Sequence, residues 1–149
     1  MIRLSSGLRD AVITNYGLGV MMIKGHIQVY SGLQPASADL PPTGRLLGFI
    51  TQGGLRIPMP GDDAGGLMLQ SGRNAGELIN AGEWVLRGAA VGAPGWWRFV
   101  AAPMDAGQES DFLCRIDGSA GDSISPLLPA ITASTVLPLA GFLISLPHQ

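Results

Sequence analysis

Two histidines, one cysteine and a scatter of carboxylates are the side chains here that could do proton-transfer, metal or nucleophilic chemistry. His26 lies in an alternating segment, His26-Ile27-Gln28-Val29-Tyr30, and His148 is one residue from Gln149. An imidazole works as a base only with an orienting partner, and none is visible, so His26 reads as a structural strand residue. A zinc site needs a cluster of Cys and His at short spacing, which this chain lacks, and no metal ligand is assigned. Cys114 falls in a row with Phe112 and Ile116, which marks it as a small buried apolar group rather than a reactive thiol. Asp62-Asp63 sit among Pro58, Pro60, Gly61, Gly65 and Gly66, which reads as a solvated turn; a calcium loop needs several oxygen ligands at regular spacing. Gly118-Ser119-Ala120-Gly121 is out of pattern for a nucleophile elbow. Gly17-x-Gly19 lacks both the third glycine and the preceding strand of a dinucleotide fingerprint. Carboxylate pairing for glycoside hydrolysis depends on spatial proximity, which the sequence leaves open. No catalytic residue and no cofactor is assigned, and the chain reads as non-enzymatic.

The totals point the same way. The 149 residues suit one core-forming domain. Charged residues make up 13% of the chain, about half the usual share for a soluble domain. A surface so poor in charge resists association weakly, which favours an assembly subunit. The net charge of −2, without a basic stripe, argues against nucleic acid as a partner. Arg3 is followed by no uninterrupted apolar run, which argues against a secretory signal. One cysteine excludes an internal disulfide.

The elements follow from pattern. Gly25 to Thr51 reads as two strands joined by a polar loop, Ser31 to Gly44, which holds three prolines, two glycines and one charge. Upstream, Ser6 to Ile13 reads as a short helix capped by Ser5 or Ser6, with Leu8, Ala11 and Val12 on one face and Leu4 approaching the same side. It is expected either to cover one end of a sheet or to dock on a neighbour. Val20 to Ile23 begins a strand or forms a second short turn. Downstream, strands are expected at Leu67–Gln70, Glu83–Arg87, Trp96–Ala101, Phe112–Ile116 and Val136–Leu146, with one more inside Ile124–Thr135. Glu83–Ala101 is expected to form a hairpin, and Val136–Leu146 a closing strand covered on both sides. Adjacent tryptophans on a strand point to opposite sides, so Trp97 goes to the core and Trp96 outward beside Arg98. That pair suits either a protein contact or a stack of Trp96 on Arg98 beneath a covering loop.

Ser123 to Gln149 holds no Asp, Glu, Lys or Arg, yet Pro126, Pro129, Pro138 and Pro147 oppose a membrane helix, and no membrane partner is expected. The fold class is therefore all-β: an antiparallel β-sandwich or jelly roll with a short N-terminal helix, divided as an arm over residues 1–22 and a sandwich over 23–149.

Several stretches resemble small virion structural proteins of tailed bacteriophages. They are Arg3-Leu4-Ser5-Ser6-Gly7-Leu8-Arg9-Asp10-Ala11, Ile27-Gln28-Val29-Tyr30-Ser31-Gly32, Gln34-Pro35-Ala36-Ser37-Ala38-Asp39, Thr43-Gly44-Arg45-Leu46-Leu47, Gly95-Trp96-Trp97-Arg98-Phe99-Val100 and Arg115-Ile116-Asp117-Gly118-Ser119. The resemblance implies a particle component, first of all a capsid decoration or cement protein that binds the major capsid protein lattice as a homo-oligomer in the virion. A tail or head–tail connector component, or a carbohydrate-binding sandwich on the particle, is the alternative. Contact is expected through the N-terminal arm with Leu4 and Leu8, the Ser31 to Gly44 loop, and the face bearing Trp96 and Arg98.

Overall fold

The computed structural model describes residues 1–14, 17–101 and 105–145, the side chains of 13 and 14 excepted. His148 lies outside the described residues. The elements begin with β1 (Arg3–Leu4), α1 (Ser6–Thr14), α2 (Leu18–Met22), β2 (His26–Tyr30) and β3 (Leu46–Gln52). Then come β4 (Met68–Ser71), β5 (Glu77–Ala81), β6 (Trp84–Gly88), β7 (Trp96–Val100), β8 (Arg115–Ser119), β9 (Ile124–Ser125), β10 (Val136–Pro138) and β11 (Gly141–Ser145). They form a seven-stranded sheet, β1-β8-β7-β2-β3-β6-β10, and a four-stranded sheet, β4-β5-β11-β9. Every strand pair is antiparallel, as expected for an all-β sandwich.

The sheets meet through aromatic side chains. Ile27 and Val29, Trp97 and Phe99, Trp84 and Leu86, and Ile116 point from the large sheet into one core. Phe142 enters from β11 and packs with its ring centroid 4.9 Å from Trp84, 5.6 Å from Trp97 and 6.1 Å from Phe99. The tilted and edge-on geometries suit the ring quadrupoles, so the cluster gains beyond area burial.

Expectation and structure agree on the joined pair β2 and β3, which align Ile27 with Ile50 and Gln28 with Phe49. The helix at Ser6 also forms, because Ser5 Oγ accepts the Leu8 amide at 3.2 Å, an N-cap bond. Val20 to Ile23 belongs largely to a second short helix rather than to a strand. The first 22 residues add β1 to the large sheet against β8 and place Leu8, Leu18 and Met22 in the core.

Three expectations need correction. Glu83–Ala101 is not a hairpin: β6 pairs with β3 and β10, and β7 with β2 and β8. The β2–β3 pair lies between them in the same sheet, and a non-sequential strand order of this kind is invisible to local turn signals. Val136–Leu146 is two strands, not one. The chain changes sheet at Leu139-Ala140, whose successive amides bond Trp84 O at 2.9 Å and Ser125 O at 2.8 Å. Leu143 and Val136 are exposed, so neither strand is covered on both sides. Finally, the strand expected from Phe112 starts at Arg115, because Ser110 Oγ accepts the amides of Phe112 and Leu113 and holds a turn there. Phe112 is exposed, and Cys114 is half-buried at the core margin with its thiol pKa pushed up by burial.

Among the described residues no helix is long and apolar enough to cross a membrane.

Candidate functional site: a loop surface anchored by buried arginines

On the large sheet, the face opposite the core carries charge under cover. Period-two alternation puts Trp96 and Arg98 of β7, and Arg115 and Asp117 of β8, on that face. Arg98 and Asp117 are register partners. The Arg98 guanidinium donates from Nε to Oδ1 at 2.7 Å and from Nη2 to Oδ2 at 2.8 Å, a bidentate pair in which both side chains are buried. Arg115 makes the same fork to Asp105, with both bonds at 2.6 Å and both side chains buried.

A guanidinium has more donors than a carboxylate can take, and the surplus reaches the loop. Arg98 Nη1 donates to Leu40 O at 3.0 Å. Arg115 Nη1 donates to Ala38 O at 3.3 Å and Asp39 O at 3.4 Å, and its Nη2 to Gln108 O at 2.8 Å. Trp96 Nε1 donates to Thr43 O at 3.1 Å, and its ring stacks on Tyr30 at 4.6 Å with the Arg98 guanidinium 5.4 Å from its centroid. The second half of the polar loop 31–44 is therefore held on buried side chains, at Ala38, Asp39, Leu40 and Thr43.

Its ends and its neighbours are also tied. Ser31 and Arg45 close the loop base by two 3.0 Å bonds. Gly44 there has φ +79°, and a Cβ would lie 1.9 Å from Ser31 O. Asp39 accepts the Ser6 amide and hydroxyl, both at 2.7 Å, which joins the loop to the start of α1. Ser5 Oγ also donates to Leu113 O at 2.6 Å and accepts the Arg115 amide at 2.9 Å. Ser110 N donates to Asp39 O at 2.9 Å, so the segment carrying Phe112 is fastened to the same loop.

The electrostatics follow from burial and pairing. Burial pushes the Asp105 carboxyl up, but the Arg115 bonds and the Gly107 amide outweigh it and hold the pKa below the usual value. For Asp117 burial outweighs Arg98, and the carboxyl sits above the usual value. Burial lowers His26 to about 4 against a weaker opposing pull from Asp105. His26 is buried, and its Nδ1 has no partner among the described residues. Asp117 and Asp105 are each held by an arginine fork, and the same arginines fix loop backbone.

This scaffold shows three large apolar side chains to solvent, Leu33 at 87% exposure, Phe112 at 72% and, less fully, Leu40 at 36%. Of the residues expected at an interface, Leu8 is in the core, and Leu4 is half-buried in β1 beside Ala36 to Ala38. Trp96 and Arg98 are fully buried, which corrects the expectation that they form an outer contact face; the reading of Trp96 against Arg98 beneath a loop is the one observed. Sequence reasoning missed Asp39, Asp105, Arg115 and Asp117. The available signal was Arg-x-Asp on one strand near Trp-x-Arg on another in a chain with so few charges. Asp62 and Asp63 lie in the expected exposed turn, paired with Arg56 and Lys24. Among the described residues no three His, Cys, Asp or Glu cluster as a metal site.

No family model, curated protein or solved structure matches this chain.

Proposed function

We propose that the chain is a structural component of a tailed-phage particle, a capsid decoration protein that binds the major capsid protein lattice through the loop 31–44 and the Phe112 segment. The reading rests on the resemblance given above together with one observation. Two buried arginine forks hold a long polar loop at residues 38–40 and Ser31 with Arg45 closes its base, while Leu33 and Phe112 stand exposed on and beside it. A preordered loop loses little conformational entropy on docking, and exposed apolar side chains on rigid support are what binding anchors require. A non-enzymatic role fits carboxylates committed to arginine.

The test is the protein's copy number and position in purified particles, by mass spectrometry and cryo-microscopy. A copy number comparable to the major capsid protein supports head decoration. A few copies per particle support the tail or connector alternative, and absence from particles overturns both. The carbohydrate-binding alternative loses its aromatic motive, since Trp84, Trp96 and Trp97 are all buried, and keeps only the polar loops.

A further inference from the structure

The free edge of β4 is built to accept another strand. Gly72 N donates to Glu77 O at 2.9 Å, which puts Gly72 at a position of the ladder whose backbone groups turn toward β5. In an antiparallel ladder such positions alternate. With Gln70 opposite Ile79 and Met68 opposite Ala81, residues 68 and 70 bond to β5, and Leu67, Leu69 and Ser71 turn their amides and carbonyls outward. Leu67 is satisfied there: its amide donates to Gly25 O at 2.8 Å and its carbonyl accepts Lys24 N at 2.7 Å. No backbone partner is found for the outward groups of Leu69 and Ser71 among the described residues.

The surroundings of that edge carry the other half of the argument. A groove of 320 Å³ runs between α2 and β4, lined by Gly19, Val20, Ile23, Leu69, Ser71 and Leu78 among others. Val20 is 58% exposed and Ile23 37%. Edges are usually guarded by lysine, proline or a covering segment, and Met68-Leu69-Gln70-Ser71 has no charge and no proline. A strand laid along this edge would send alternate side chains into the groove, the geometry of strand addition.

We propose that the occupant is β4 of a second copy, paired antiparallel about a two-fold axis at Gln70. This register faces Leu69 of each copy with Ser71 of the other, and satisfies all the outward groups with four hydrogen bonds. It also sets the second copy's Leu69 beside Ser71, over the apolar groove. The strand Met68-Leu69-Gln70-Ser71 is itself uncharged and its outward groups are self-complementary in this register, as an isologous contact requires. The two four-stranded sheets become one continuous sheet across the dimer. This deepens the homo-oligomer part of the proposed function but does not use the loop surface. Loss of β4 pairing therefore leaves particle binding by Leu33 and Phe112 separately measurable.

The experiment is sedimentation equilibrium on the full chain, with hydrogen exchange resolved at single amides. Ser71→Pro removes one outward N–H and leaves the bonds to β5, and Ser71→Ala is the control. Expected are a dimer for the wild type and S71A, a monomer for S71P, and concentration-dependent protection of the Leu69 and Ser71 amides on the order of tenfold or more. A monomeric wild type overturns the proposal, as does a dimer in which those amides exchange freely. Protection of the two amides only in assembled particles assigns the edge to a different partner's strand and equally overturns it. If S71P fails to fold, the wild-type exchange measurement alone decides.

Discussion

Arg98 and Asp117 face each other across β7 and β8 as a bidentate ion pair, fully buried beneath a loop that contributes the Leu40 carbonyl to the same guanidinium. A buried pair gains little net stability over apolar replacements, but removing one partner strands the other charge. Asp117→Leu should cost about 3–5 kcal/mol. The double replacement Arg98→Met with Asp117→Leu should cost clearly less than the sum of the two single changes. Urea unfolding of the four proteins checks this, and simple additivity would count against a direct coupling.

Phe142 is the main aromatic contact from the small sheet to the large one. Phe142→Ala removes a buried ring and leaves a void among Trp84, Trp97 and Phe99. The expected loss is about 3–5 kcal/mol by chemical denaturation. A loss under about 1 kcal/mol would mean that the sheets close over the gap.

His26 predicts a pH dependence. Its folded pKa of about 4 lies below the ordinary imidazole value of 6.5. Between those values the unfolded chain binds the extra proton, so stability rises with pH across this window and is lost as pH falls. The effect amounts to about 3 kcal/mol between pH 7 and pH 4. Asp105, held low, adds the same sign as pH falls through its folded pKa, whereas Asp117, held high, opposes it. His26→Gln should flatten the curve between pH 6.5 and 4; an unchanged slope would show that the titration belongs elsewhere.

The N-terminal segment was a candidate docking arm, but its side chains are committed within the chain. Ser5 is buried and bonded to Leu8, Leu113 and Arg115, Leu8 is in the core, and Ser6 holds Asp39. Deleting residues 1–10 is therefore expected to lower the melting temperature sharply, along with any loss of particle binding. Normal thermal stability in the truncated protein would restore the arm reading.

Leu33 and Phe112 behave oppositely. Both are exposed, so Leu33→Asp and Phe112→Asp should change stability by no more than about 0.5 kcal/mol. If the loop surface is the docking site, either change should abolish rebinding to particles stripped of this protein. Rebinding at wild-type level by the folded double variant would move the contact elsewhere.

The all-β class, a serine cap at Ser5 or Ser6, the short helix that follows and the joined strands β2 and β3 were legible in the sequence. These are local: alternation with period two, a hydroxyl before an amphipathic run, and turn residues between strands each act over a few positions. The role of Trp96 and Arg98 was not. Alternation placed them together on the face away from Trp97, but whether that face meets solvent depends on a loop more than fifty residues upstream. Likewise Asp105 and Asp117 look like ordinary surface acids until tertiary structure brings Arg115 and Arg98 against them. Period-two patterning specifies which side chains share a face. Burial of that face is decided by long-range packing, which alone made a polar loop into a fixed surface.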